Sequence, residues 1–214
     1  MNKSDFEALG DKPHGLQALR VRAHFLFVDH GLLRTLWSNF HAIWPGVYRS
    51  NQPSPERVAR LKELGIKTII SLRGKNLGSW NILEHHACAE AGIHIVNHAL
   101  GSRRPPSRER ILSLIEIFRS SEYPILIHCK SGSDRTGIAA GIYLCAIAKQ
   151  PVEKAMQQLA GKYFHRQQGK AGILIEVFRD YQKRLEQSPI EFEDWVRTEY
   201  DPESLMPYDK EEGA

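Results

Sequence analysis

The sequence is poor in cysteine, with three in 214 residues at irregular spacing, which excludes a disulfide framework and a cysteine-rich zinc module. Long apolar runs are missing as well. No stretch approaches the roughly 18 apolar residues of a membrane span, and Met1 to Gly15 is polar, without the hydrophobic segment that directs export. Internal repeats and low-complexity tracts are absent, which excludes solenoids and arrays. Neither sign of charge dominates: 29 Lys and Arg against 25 Asp and Glu leave a net +4. That excess fits an ordinary soluble surface and only modestly favours an anionic ligand. With 42% hydrophobic and 25% charged residues the composition is globular, and the length suits one domain with a sizeable core. The expected setting is a reducing cytoplasm, with no nucleic-acid partner and no stable membrane insertion.

What is present is concentrated between Ile125 and Gly137, Ile-Leu-Ile-His-Cys-Lys-Ser-Gly-Ser-Asp-Arg-Thr-Gly. A short aliphatic run ends at Cys129, five small or polar residues follow, and Arg135-Thr136-Gly137 opens an apolar stretch of helical character from Ile138 to Ala148. Strand, loop and helix in that order aim successive backbone N–H groups and the positive end of the helix dipole at one point, where a phosphate would be held. The loop amides would come from Lys130 to Arg135, Ser131, Gly132 and Ser133 among them, and the Arg135 side chain can add a bidentate fork to two phosphate oxygens. In such a field a thiolate is favoured over a thiol, and the pKa of Cys129 would fall from about 8.5 to roughly 3.5–7.5. Gly132 can take the positive φ of a tight concave loop, and Gly137 lets the helix start pack close to the strand. The Thr136 hydroxyl is placed to hydrogen-bond the thiolate. His128 reads either as a group that hydrogen-bonds loop backbone and tunes the cysteine, or as a satisfied histidine at a strand end.

Around this stretch the periodicities and punctuation predict alternating strands and helices. A helix from about Leu16 to Phe27 and another from the N-cap Asp29 to about Asn39 precede a turn at Trp44-Pro45-Gly46. A strand Val47–Ser50 follows, then a helix capped by Ser54 with Pro55 at its first position and Gly65 at its end. Lys67–Leu72 is a strand, Ser79–Ala91 a helix, Ile93–Ala99 a strand, and Ser107 caps the helix before Ile125. Further helices are expected over Pro151–Tyr163 and Ala171–Leu185, with a last one capped by Ser188 and running to about Tyr200. Such alternation implies an α/β fold with a largely parallel sheet and ligands at the carboxyl ends of its strands.

His128 to Gly137, His-Cys-x5-Arg-Thr-Gly, resembles the signature loop of the cysteine-dependent protein tyrosine and dual-specificity phosphatase superfamily, and it sits in the structural context that the motif requires. The order of elements extends the resemblance over about Ala42 to Ala160. It implies a dual-specificity-phosphatase-like fold, a central mostly parallel sheet flanked by helices. The chain then divides into a flexible extension (1–15), a phosphatase domain (16–200, signature loop 129–135) and a polar tail (201–214). The activity implied is hydrolysis of phosphomonoesters through a phospho-cysteine intermediate, with Cys129 as nucleophile, Arg135 and the loop amides holding the phosphoryl oxygens, and no metal or cofactor. Phosphotyrosine and phosphoserine/threonine proteins are the expected substrates. Lys130, directly after the cysteine, is similar to lipid phosphatases of the tensin-homologue type, and Asp134-Arg135-Thr136 is similar to myotubularins, which adds phosphoinositides or inositol phosphates. Lys130 reads equally as a solvated charge. The alternative is a catalytically weak or dead module of the same fold that binds phosphorylated ligands.

One departure from the family pattern stands out. Its mobile loop normally carries an Asp as general acid, yet from Ile93 to Ser107 there is no carboxylate, and Glu109 falls in the first turn of the next helix. Arg103, Arg104, Arg108 and Arg110 make this loop basic, either as a solvated face or as contacts for further phosphates. Asp134 is expected as the acid, with capping of the following helix as the competing role. Glu109 or a substrate-borne group is next in line. Gln157 and Gln158 read either as positioning the hydrolytic water or as a plain helix face.

Overall fold

The computed structural model describes residues 15–23, 37–74 and 79–206. The extension up to residue 14, the ends of the expected helices at Phe27 and Asp29, and residues 207–214 of the expected tail lie outside the described residues. The chain divides into two compact units, residues 1–99 with 121–136 and residues 100–120 with 137–214.

The first unit contains a helix α1 (Gly15–Ala23) and a five-stranded sheet of β1 (His41–Trp44), β2 (Val47–Ser50), β3 (Thr68–Ser71), β4 (His94–Asn97) and β5 (Ile125–His128). The order is β1-β2-β5-β3-β4, parallel throughout except for the β1–β2 pair. Ile69, Ile70, Ile125, Leu126 and Ile127 are fully buried, so these central strands read as continuous apolar runs rather than alternating ones. Helix α2 (Pro55–Glu63) begins where Ser54 Oγ accepts the Arg57 N–H at 3.3 Å with Pro55 in the first turn. It packs Val58 and Leu61, together with Ala87 and Cys88 of α3 (Ser79–Ala91), against Ile69, Ile95 and Leu126. Each large aliphatic side chain buried in this way contributes about 1.5–3 kcal/mol.

β1 was not anticipated. Its aromatic and aliphatic residues continue the apolar run read as helical, but residues 37–40 are non-helical, Asn39 has φ +47, and His41–Trp44 pair antiparallel with β2 as an edge strand. Register places Ser50 of β2 and Ser71 of β3 both opposite His128. The three central strands therefore end level, and the chain leaves β5 for Cys129 at the carboxyl edge of the sheet.

The second unit is helical. In α4 (Arg108–Ser120) Ile111, Leu114, Ile115 and Phe118 are buried at helical spacing, and Phe118 meets Tyr143 edge-on with centroids 5.3 Å apart. Tyr143 belongs to α5 (Asp134–Ala146), whose first turn is the end of the signature loop. Beyond it the expected helices are broken. Pro151–Tyr163 is a short α6 (Val152–Met156) followed by 3₁₀ turns Gln157–Leu159 and Gly161–Tyr163, with Ala160 extended between them. A close fit explains the break: a Cβ on Gly137 would lie 2.7 Å from the Gln158 carbonyl oxygen, so this backbone lies flush on α5. Gly137 thus makes room for that turn. Ala171–Leu185 likewise splits into a 3₁₀ stretch Lys170–Ile175 and α7 (Glu176–Leu185).

The last helix, α8 (Phe192–Thr198), starts after Glu191 and not at Ser188. Ser188 is already engaged, its carbonyl and hydroxyl accepting from Arg184 Nη1 at 2.9 and 3.0 Å. Phe192 and Trp195 of α8 meet Tyr181 and Tyr200 edge-on or tilted in an aromatic cluster with centroid spacings of 5.0–5.6 Å. The expected tail begins with a 3₁₀ turn Glu203–Leu205, whose first N–H is accepted by the Asp201 carboxylate.

Candidate active site

At the carboxyl edge of the sheet, the loop after β5 is shaped from outside. The carbonyl of Lys130 accepts the Gln52 N–H (3.3 Å), that of Ser131 accepts Asn39 Nδ2 (3.2 Å), and that of Gly132 accepts Asn39 Nδ2 (3.0 Å) and Arg49 Nη2 (2.8 Å). The Ser133 carbonyl accepts Arg49 Nη2 at 3.3 Å. In a planar trans peptide the N–H points opposite to its carbonyl. Four consecutive carbonyls drawn outward therefore turn the amides of Ser131, Gly132, Ser133 and Asp134 toward the concave side, as a phosphate cradle requires. Gly132 is obligatory in this wall. Its φ is +72, and a Cβ there would stand 2.6 Å from the backbone carbon and oxygen of Ser50.

Cys129 stands at the base, 1% exposed. Burial pushes its thiol pKa up and is the largest single influence, but the Arg135 charge, the Thr136 hydroxyl and the N–H groups of Thr136 and Gly132 together pull it below the ordinary thiol value. The loop thus brings together Cys129, Arg135, Thr136 and the inward amides as the spacing implied. Lys130 and Ser131 are half-buried beside them. Asp134 heads α5, half-buried, with its Oδ1 accepting from Ser133 Oγ at 3.2 Å. His128 is fully buried, its Nε2 2.8 Å from Glu84 Oε1 and its Nδ1 3.4 Å from the Cys129 carbonyl oxygen.

Sequence reasoning missed Asn39, Arg49, Gln52 and Glu84, which lie about 45 to 90 positions from the motif. One signal existed. Arg49-Ser50-Asn51-Gln52 is a polar run continuing an apolar strand, and in the structure all four side chains are buried, a placement that polar groups accept only with partners. The same shell continues outward: Arg57 Nη1 donates to Asn51 Oδ1 (2.5 Å), and Arg73 Nη1 donates to Gln52 Oε1 (3.1 Å) while stacking over Trp80.

Arg103 and Arg104 belong to the second unit, exposed on the bend before Pro105. That bend is anchored where the Tyr200 hydroxyl donates to the Pro106 carbonyl (2.8 Å). Arg108 has a structural task instead, donating to the carbonyls of Arg197 (2.8 Å) and Tyr200 (2.7 Å) at the end of α8. Ser107 caps α4 through the Arg110 N–H at 3.4 Å, and its hydrogen bond holds the Glu109 carboxyl below the usual range. Gln158 is buried in its 3₁₀ turn, whereas Gln157 is exposed. Among the described residues no cluster of three or more His, Cys, Asp or Glu could hold a metal ion.

Residues 43–188 match the family described as "DSP-PTPase phosphatase fused to NAD+ Kinase". The chain belongs to this family. Membership bears out the resemblance carried by His128–Gly137 and places the chain among cysteine-based dual-specificity phosphatases. Similar curated proteins include dual specificity protein phosphatase TpbA of Pseudomonas aeruginosa, 27% identical over 56% of this chain and 53% of its own length. Inositol diphosphatase DSP3 of Arabidopsis thaliana is 32% identical over 49% of this chain and 52% of its own. The chain thus spans about half the length of the curated relatives it matches. Among solved structures, P. aeruginosa TpbA in complex with phosphotyrosine superposes with a TM-score of 0.55 at 20% identity, covering 70% of this chain and 91% of that one. The core catalytic domain of the PP-IP phosphatase SIW14 from S. cerevisiae gives 0.53 at 23% identity, with the same two coverages. These likenesses establish the dual-specificity-phosphatase fold.

Proposed function

We propose that this chain hydrolyses phosphomonoesters through a phospho-cysteine intermediate. The observation that carries the reading is Cys129: a fully buried thiol that would be inert in an apolar core is held below its ordinary pKa by Arg135, Thr136 and Gly132. The thiolate sulfur attacks phosphorus as the P–O bond to the leaving group breaks, and the inward amides with Arg135 take up the charge on the phosphoryl oxygens. Asp134, at the loop's end, gives its proton to the departing oxygen. Water then cleaves the S–P bond to release inorganic phosphate, and the Thr136 hydroxyl stabilises the returning thiolate. Glu109 is the less suited candidate on its own terms, because the Ser107 hydrogen bond holds its carboxyl below the usual range and a proton is kept there less readily.

The substrates are phosphorylated proteins, with phosphotyrosine foremost, and phosphoinositides or inositol phosphates. Support comes from the dual-specificity and inositol-diphosphatase relatives and from Lys130 beside the nucleophile. Arg103 and Arg104 contribute contacts to further phosphates. The cytoplasm is the proposed site of action, supported by three free cysteines and by the lack, among the described residues, of a helix long and apolar enough to cross a membrane. One observation favours the second reading, a phospho-ligand binding module: the stretch Ile93–Ser107 has no carboxylate. Turnover of para-nitrophenyl phosphate with a trapped phospho-Cys129 supports the hydrolase, and tight binding of phosphotyrosine without turnover overturns it.

A further inference from the structure

We infer that the segment from Gly161 to Lys170 is a docking surface for an anionic lipid bilayer, with Phe164 as its apolar tip and Lys162, Arg166 and Lys170 as its charge. Phe164 ends the 3₁₀ turn Gly161–Tyr163 in the left-handed region, φ +63, which a bulky side chain occupies only under strain and which Gly or Asn would take readily. Its ring is also 61% exposed, the one exposed large hydrophobic side chain among the described residues of the second unit. Neither backbone preference nor core packing explains an aromatic residue there. Tyr163 and His165 on either side are buried, so the ring is carried outward between two anchored positions.

The segment is tied down along its length. The Phe164 N–H donates to the Gly161 carbonyl (2.8 Å), Gln167 Nε2 to the Leu159 carbonyl (3.3 Å), and the Gly169 N–H to the Arg166 carbonyl (3.2 Å). A Cβ on Gly172 would stand 1.9 Å from the Gln167 carbonyl oxygen, so the turn lies close against the 3₁₀ stretch that follows it. A tip fixed in this way has little freedom left to lose on meeting a partner.

Charge indicates the partner. No Asp or Glu occurs between Glu153 and Glu176. Arg119, Arg179, Arg184, Arg197 and Lys149 of the same unit each sit against a glutamate. Lys162, Arg166 and Lys170 are exposed and meet no carboxylate among the described residues. Lys162 rests instead over the Tyr163 ring, its Nζ 4.9 Å from the centroid and next to the tip in sequence. An apolar tip among cations without counter-charges fits the boundary of an anionic bilayer, where the ring reaches the acyl edge and the cations meet head groups. Single-stranded nucleic acid would call for a row of aromatic platforms, and this segment exposes a single ring. The docking is reversible adsorption of a loop, without a membrane-spanning helix.

The test uses the full chain and vesicles of phosphatidylcholine with phosphatidylserine, a lipid without a phosphomonoester, so its result is independent of the proposed hydrolysis. Co-sedimentation at low salt should show binding to these vesicles and little to phosphatidylcholine alone. Phe164→Asn keeps the left-handed backbone without the ring and should lower the partition coefficient about tenfold. Replacing Lys162, Arg166 and Lys170 together by Gln should lower it about a hundredfold. Phe164→Trp should keep binding and have its added fluorescence quenched by lipid brominated on the acyl chain. The pH midpoint of iodoacetamide alkylation at Cys129, resolved from Cys88 and Cys145 by peptide mass, should stay in place in every variant as the check on an intact fold. Failure of the wild-type chain to bind, or absence of quenching in Phe164→Trp, overturns the proposal. Binding that high salt abolishes but Phe164→Asn leaves whole overturns it too, and assigns the cations to a soluble polyanion.

Discussion

Cys129 and Cys88 belong to the same unit and are equally hidden, 1% and 0% exposed, yet their thiols move in opposite directions. Cys88, in the middle of α3 with Glu84 one turn away, is pushed well above the ordinary value by burial and then by that charge. Cys129 meets a larger burial penalty than any single opposing influence, but a cation, a hydroxyl and two amides converge on it and prevail. Burial alone therefore does not make a cysteine inert. What decides is whether the surrounding backbone has N–H groups to spare, and helix interiors have none because each N–H serves the carbonyl four residues back. A loop between strand and helix leaves them available.

The comparison breaks most sharply on removal of the sulfur. Cys129→Ser should lower turnover of para-nitrophenyl phosphate by about 10⁴-fold or more while phosphate-type ligands still bind, whereas Cys88→Ala should leave kcat and KM alone. Near wild-type turnover in Cys129→Ser, read by steady-state kinetics, would sink the covalent mechanism.

Asp134→Asn sharpens it from the side of the leaving group. Loss of a positioned acid should slow hydrolysis of alkyl phosphates by roughly 10²–10⁴-fold and that of esters of acidic phenols far less, with the alkylation midpoint of Cys129 unmoved. Equal losses on both ester types would assign Asp134 to capping α5.

Arg49→Met carries Cys129 part of the way toward Cys88. The carbonyls of Gly132 and Ser133 lose a buried cationic donor, so stability should fall by about 2–4 kcal/mol in urea melts. The loop amides then relax and the thiol pKa rises. Because the wild-type thiolate is lost only as pH falls through a depressed pKa, the acid limb of kcat/KM should move to higher pH in the variant. A limb that stays in place would mean that the loop holds its shape unaided.

The smallest effect is expected from neutralising Arg103 and Arg104 together. Exposed charges are screened, so KM should rise only a few-fold, and only for multiply phosphorylated substrates such as inositol polyphosphates, in a salt-dependent manner. The same change in KM for para-nitrophenyl phosphate would reduce the pair to a solvated face.

Much of the first unit was legible from local chemistry. Ser54 with Pro55 starts α2, and α3 runs from Ser79 to Ala91 as its pattern implied, because caps and periodic apolar faces act within a few residues. The second unit was less so. Pro151–Tyr163 and Ala171–Leu185 carry helical periodicity, but close packing on α5 at Gly137 flattens the first into 3₁₀ turns, and Arg184 claims the hydroxyl that would have capped α8. β1 was lost inside an apolar run because a four-residue edge strand has too few residues for its period to show.

The sequence by itself determined the nucleophile, the cation and the loop between them, since Cys129 through Arg135 are contiguous and the strand-loop-helix order follows from neighbouring residues. Only the tertiary structure decided what holds that loop in shape. Arg49, Asn39, Gln52 and Glu84 carry no motif, and they reach Lys130 to Ser133 and His128 because β2, β5 and β3 end level at Ser50, His128 and Ser71. That register is set by burial of both sheet faces, a property of the assembled core that no local stretch of the chain contains.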